Sequence, residues 1–192
     1  MSRALDTAGV PDPAAVLRRA RLLQPARAVA RTLTRMAREI EHAVGGDDPV
    51  LLAVMHGGIF TAVEIAARCA FPYEFDYVHV TRYANGLSGG ALEWRVRPMA
   101  RLAGRTVVIV DDVLDRGVTL AALESELARI GVARTCKAVL VVKELREPVP
   151  RPAVDVRGFT VDDVYVFGCG MDYKGYWRGL RGLYAAAERD LQ

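Results

Sequence analysis

The sequence predicts an α/β protein built on a doubly wound, mostly parallel sheet, and three observations carry that prediction. Two apolar runs, 49–55 and 106–111, each pass through a glycine-containing turn into a segment with helical spacing. A third apolar run, 137–143, follows the second of those helices. Strands alternating with helices at this interval make parallel crossover units, and such sheets bind ligands outside the carboxyl ends of their strands.

The elements follow in order. Residues 12–44 read as one or two amphipathic helices that stop at Gly45-Gly46, with the turn-forming Asp47-Asp48-Pro49 behind them. The Arg residues between Val16 and Arg38 are spaced among Ala and Leu at helical intervals. They read as solvated helix faces, since no uninterrupted basic block for nucleic acid appears. PVLLAVM, 49–55, is continuously apolar, a buried strand ending in His56-Gly57-Gly58, and IFTAVEIAARCA after it has helical spacing. YEFDYVHV, 73–80, reads as another strand, and RYANGLSGGALEWRV, 82–96, as a loop followed by a return strand. TVVIVD, 106–111, is a second buried strand, DVLDRG its turn, and Thr119 to Ile130 a helix closed by Gly131. KAVLVVK, 137–143, gives the third. Past residue 144 the pattern changes to a connector with three prolines, REPVPRP, then a short strand, DVYVFG, and a polar-aromatic tail.

A chain of 192 residues with 52% hydrophobic and 26% charged residues can bury one substantial core, so a single domain is expected over 1–192. A net charge of +3 is too small for a nucleic-acid footprint but suits a phosphorylated substrate. Cys69, Cys136 and Cys169 form no CxxC pair, and no His lies at metal-ligand spacing to them, which points to a reducing cytoplasm. No signal-peptide core is present, and no apolar run approaches the roughly 18 residues that span a bilayer. The expectation is a soluble, cytoplasmic protein with no membrane and no nucleic-acid partner.

The chemistry concentrates in VVIVDDVLDRGVTL, residues 107–120. A carboxylate pair, Asp111 and Asp112, at the end of an apolar strand is costly to bury unpaired, so it faces a polar ligand, a cation or solvent. The turn behind it offers backbone N–H groups at a helix N-terminus. With the Thr119 hydroxyl and the close approach allowed by Gly117, these suit a phosphate monoester. The plainer alternative is a strand-to-helix connection in which Asp and Thr serve as caps.

This segment resembles the phosphoribosyl pyrophosphate motif of type I phosphoribosyltransferases, specifically the hypoxanthine-guanine branch. The resemblance implies that Asp111 and Asp112 hold the ribose hydroxyls, directly or through magnesium, and that Asp115 accepts the proton at purine N7. Asp115, Arg116, Gly117, Val118 and Thr119 then cradle the 5-phosphate. His56, Gly57 and Gly58 resemble the family's pyrophosphate loop, where side chains would block close approach. A Lys or Arg is common before those glycines, and His56 departs from that. Tyr83 matches the tyrosine of the family's catalytic flexible loop, although Arg82 stands where Ser usually precedes it. Such a lid keeps water from an oxocarbenium-like centre. Lys143 matches the lysine that donates to a purine 6-oxo group, a donor that disfavours adenine. Tyr165 matches the residue that stacks on the base, Val166 the backbone donor and acceptor, Met171 the cover on the opposite face, and Asp172 the group near the 2-position and the second magnesium. Cys169 takes a place normally held by a hydrophobic or aromatic residue. Arg178 matches an arginine that contacts pyrophosphate. By themselves a tight turn, a hairpin loop, a solvated lysine and a short edge strand with core aromatics would also account for these segments.

The resemblance covers roughly residues 45–180. It implies the type I phosphoribosyltransferase fold, with a core over about 25–143 and a small hood from about 1–24 plus 144–192. The activity it implies is magnesium-dependent transfer of phosphoribosyl from 5-phosphoribosyl 1-pyrophosphate (PRPP) to hypoxanthine or guanine, in a homodimer or homotetramer. Two alternatives stay open: a xanthine-preferring enzyme, and a non-catalytic regulator that senses PRPP. GxGxxG is missing after the first strand and GxxxxGK[ST] is missing throughout, which sets aside dinucleotide and P-loop sites.

Overall fold

The computed structural model describes residues 12–82, 92–98 and 101–191. It opens with helix α1, Pro13–Arg19, capped by the Asp12 carboxylate, and strand β1, Arg21–Gln24. Helix α2, Ala26–Val44, follows Pro25 and buries Val29, Leu33, Met36 and Ile40 along one stripe. The expected helical stretch 12–44 is therefore broken by a strand. Local periodicity could not show it, because the partner of β1 lies some 160 residues away.

The central sheet is built as the apolar runs predict. Strand β2, Val50–Met55, leads to helix α3, Gly58–Ala66; strands β3, Glu74–Arg82, and β4, Leu92–Val96, form the antiparallel return. Strand β5, Thr106–Leu114, leads to helix α4, Val118–Ile130, which ends at Gly131 with φ +87°. Strand β6, Arg134–Glu144, and strand β7, Val156–Asp162, complete it. The order is β4-β3-β2-β5-β6-β7, parallel except for the β3–β4 pair. Apolar side chains fill both faces, one under α2 and α3, the other under α4.

The core boundary expected near 143 falls short, since β7 belongs to this sheet. It is a half-exposed edge strand with Gly158 against β6, where a Cβ would stand 2.3 Å from the Leu140 carbonyl oxygen. A second sheet, of order β1-β9-β8, is formed with strands β8, Val166–Phe167, and β9, Leu183–Ala185. Arg19 pairs with the buried Asp190, and Trp177 Nε1 donates to the Pro13 carbonyl, so α1 meets the C-terminal segment beside this sheet.

The strand order reverses between β2 and β5, which are neighbours. Connections leave the two strands in opposite directions there, opening a crevice at their carboxyl ends. The turns at 56–58 and 115–117 both stand at it.

Candidate functional site

Strand β5 stays regular through its acidic pair. Asp111 Oδ1 accepts from the Asp112 N–H at 2.9 Å, and Asp112 Oδ1 from the Val113 N–H at 2.8 Å. Burial, and then the Asp112 charge, push the Asp111 carboxyl well above the usual range. Burial also raises Asp112, against hydrogen bonds to its ionised form and the charge of Arg178. Beyond one backbone N–H each and the Arg178 charge acting on Asp112, the buried pair is short of partners for its ionised form. Its chemistry fits ribose hydroxyls or a divalent cation. Among the described residues no cluster of three or more His, Cys, Asp or Glu could cage an ion. A cation held here would complete its shell with substrate or water oxygens.

The β2 turn lies against this pair. A Cβ on Gly57 would stand 1.7 Å from Asp112 Oδ2, and one on Gly58 would stand 2.7 Å from the Val110 carbonyl oxygen. The Met55–His56 peptide is cis. The His56 imidazole packs edge-on against His79, with ring centroids 4.3 Å apart, while Met55 and Gly57 line the crevice. This contact follows from the parallel register, which sets Met55 opposite His79. Burial, His56 and Arg95 all hold His79 below its ordinary value.

Across the crevice, Gly117 has φ +74° and α4 begins without a side-chain cap. Its first N–H groups therefore lack side-chain partners at the positive end of the helix dipole. Asp111, Asp112, Asp115, Gly117, Val118 and Thr119 all line this cleft of about 260 Å³. The Arg116 side chain instead borders a neighbouring groove shared with Arg146, Glu147 and Asp163.

A second cleft of about 200 Å³ adjoins the first, and Asp112, Val113 and Asp115 line both. Its other walls are Lys143, Tyr165, Val166, Met171 and Asp172. The Lys143 ammonium lies 3.8 Å from Asp115 Oδ2 and 3.9 Å from Asp163 Oδ1. Both distances are too long for hydrogen bonds, so the charge is balanced while donors stay uncommitted. Tyr165 donates its hydroxyl to the Asp172 carbonyl at 3.1 Å and meets Tyr173 edge-on.

Two expected ligand groups are engaged with each other. Asp172 Oδ1 pairs with Arg178 Nη2 at 2.5 Å, and Asp172 Oδ2 accepts from the Gly175 N–H at 2.6 Å. Arg178 Nη1 also donates to the Gly170 carbonyl at 2.8 Å. Gly170, at φ +102°, sits where a Cβ would stand 2.0 Å from the Gly57 carbonyl oxygen. The segment carrying the second cleft is thus seated on the β2 turn. The spacing Gly168-Cys169-Gly170 is the signal that could have marked this close approach. Cys169 itself is buried at φ +53°, and burial pushes its thiol up to about 12. Tyr83 lies outside the described residues.

The family model of the phosphoribosyl transferase domain matches this chain over residues 21–174. The chain belongs to the phosphoribosyltransferase family. The match runs from β1 through Asp172 and so takes in both clefts. The chain is 25% identical to the hypoxanthine-guanine-xanthine phosphoribosyltransferase of Tritrichomonas foetus, over 79% of this chain and 83% of that protein. It is 31% identical to the hypoxanthine-guanine phosphoribosyltransferase of Mycobacterium avium, over 70% of this chain and 66% of that protein. Among solved structures, a hypoxanthine phosphoribosyltransferase from Staphylococcus aureus superposes with a TM-score of 0.83 at 17% identity, covering 90% of this chain and 94% of that one. This phosphoribosyltransferase thus has the type I fold that the resemblance implies, built on the doubly wound, mostly parallel sheet that its apolar strands and glycine turns predict. Among its described residues, no helix is long and apolar enough to cross a membrane.

Proposed function

We propose that this phosphoribosyltransferase is a purine salvage enzyme, which makes IMP or GMP from PRPP and hypoxanthine or guanine. The observation that carries the proposal is that two clefts meet along Asp112 to Asp115, one lined by an acid pair and an uncapped helix N-terminus, the other by Lys143 and Tyr165. The first suits a ribose 5-phosphate, the second a 6-oxopurine, and their shared wall is where the two would react.

In the reaction, purine N9 forms a bond to ribose C1 as the bond from C1 to pyrophosphate breaks, and the purine proton at N7 passes to Asp115. Asp111 and Asp112 receive the ribose hydroxyls, and the turn from Asp115 to Thr119 receives the 5-phosphate. The backbone of His56, Gly57 and Gly58 faces the leaving pyrophosphate, with Arg178 as a supporting charge. Lys143 donates to the 6-oxo group, Tyr165 and Met171 flank the ring, and Val166 supplies backbone partners. Tyr83 belongs to the lid in this reading. Asp111 and Asp112 would hold magnesium together with substrate oxygens, and Asp172 would join them only on release from Arg178 and the Gly175 N–H; the ion would supply positive charge toward the leaving group. Positioning and electrostatic stabilisation supply most of the rate.

The reading carries a homodimer or homotetramer, checked by light scattering. A reducing cytoplasm suits its three free cysteines. The decisive measurement is pyrophosphate release with hypoxanthine, guanine, xanthine and adenine, each with and without magnesium. Release with hypoxanthine or guanine only when magnesium is present is the expected result. Release with xanthine alone would replace the base assignment, and no release with any base would remove the enzymatic reading.

A further inference from the structure

The segment between β6 and β7 reads in the sequence as a proline-rich link, yet it presses directly on the turn at 115–117. Arg151 Nη1 donates to the carbonyl oxygen of Asp115 at 3.0 Å. A Cβ on Gly117 would stand 2.8 Å from Arg151 Cβ and 3.0 Å from Pro152 Cδ. Link and turn are therefore in contact at two successive points, one polar and one steric.

The link is itself held. Pro150 and Pro152 flank Arg151 and restrict its backbone. Four residues beyond Arg151, the Asp155 N–H donates to the Lys137 carbonyl at 3.0 Å, and Asp155 Oδ2 accepts from the Lys137 N–H at 2.7 Å. Arg151 thus works from a fixed base against a turn that has no side-chain cap of its own.

The consequence follows from peptide planarity. In a trans peptide the carbonyl and the next N–H point in opposite directions. Fixing the Asp115 oxygen toward the link aims the Arg116 N–H away from it, and sets the entry into Gly117 and the first turn of α4. A hydrogen bond from a guanidinium is among the stronger ones available for this purpose.

We propose that Arg151 is the positioning residue of the phosphate turn, which holds the Asp115 peptide so that the turn is preformed for a 5-phosphate monoester. The inference rests on the reading of that turn as the 5-phosphate site. Arg151 bonds the main chain of Asp115 and leaves its carboxylate beside Lys143, so its effect falls mainly on ligands that carry the 5-phosphate.

The test compares wild type with Arg151→Met and Arg151→Lys, using KM for PRPP, the dissociation constant of GMP, and inhibition by inorganic pyrophosphate. The expected result for Arg151→Met is a rise of roughly 10- to 100-fold in the PRPP and GMP constants. Pyrophosphate inhibition and kcat should change far less than these constants, because the bond reaches the Asp115 main chain and not its carboxylate. Arg151→Lys keeps a donor and should recover part of the loss. Equal weakening of every ligand, or no recovery by lysine, would make Arg151 a general structural residue and overturn the proposal. Wild type that binds PRPP, with Arg151→Met unchanged, removes this inference alone. Wild type that binds neither PRPP nor GMP removes the phosphate-site reading and the inference with it.

Discussion

Gly57 is closed against Asp112: a Cβ at the glycine would stand 1.7 Å from the Oδ2 of the aspartate. The β2 turn and the β5 acid pair are thus packed together with no room for a side chain between them. Gly57→Ala forces the Asp112 carboxylate out of its place or opens the turn. A displacement of about 1 Å at a reacting site costs on the order of a hundredfold in rate. The expected outcome is a fall of that order in kcat/KM for PRPP, with the circular dichroism spectrum retained. Activity near wild type would show that the contact has no bearing on catalysis.

Asp111 carries a second prediction, in which stability and activity move in opposite directions. Burial and the Asp112 charge raise its carboxyl well above the ordinary value. The folded chain therefore holds a proton through a pH range in which the unfolded chain has lost it. Stability contributed by the protonated form is present below that range, falls as pH rises through it, and stays lower above the raised value. Asp111→Asn removes this dependence and keeps an oxygen for the Asp112 N–H. Melting temperature at pH 7 should rise by a few degrees, the pH profile should flatten, and activity should drop. Scanning calorimetry from pH 4 to pH 8 checks it, and a lower melting temperature at pH 7 would count against a strained acid pair.

How much of this was legible in the sequence depends on whether each cause is local. Strands β2, β5 and β6 are continuous apolar runs buried on both faces, and the run from Asp111 to Thr119 holds its chemistry in consecutive residues. Both could be read directly. The edge strand β7 alternates exposed and half-buried positions and carries Gly158, while β1 finds its partner in β9, so neither stands out locally. Tyr165 to Asp172 had meaning only through resemblance, because a short strand with aromatics is a common core feature. The His56–His79 contact depends on strand register, and the Arg151 bond ends on a backbone oxygen. No residue pattern announces either.

In the proposed function Lys143 would set the base preference. Its ammonium is balanced by Asp115 and Asp163 without being hydrogen-bonded to either, which leaves donors for an oxo group. A hydrogen bond from a charged donor is worth about 1.5–3 kcal/mol. Lys143→Met should therefore raise KM for hypoxanthine and guanine by roughly 10- to 100-fold, with KM for PRPP little changed. Initial rates with each base at saturating PRPP provide the check. An equal loss for PRPP would mean that Lys143 supports the phosphate turn and not the base.

Asp115 has its main chain and its side chain in different service, and a substitution can separate them. The carbonyl accepts from Arg151, while the carboxylate lies at the junction of the two clefts, 3.8 Å from Lys143. Asp115→Asn keeps the backbone bond and the side-chain shape, and Asp163 still faces Lys143 at 3.9 Å. What it loses is the capacity to take a proton. General acid-base groups contribute roughly 10²- to 10⁴-fold, so kcat should fall by that amount while KM for PRPP holds. Single-turnover rates with hypoxanthine and with guanine would show it. Near wild-type rates for both bases would remove the proton-transfer role and leave Asp115 as a part of the phosphate turn only.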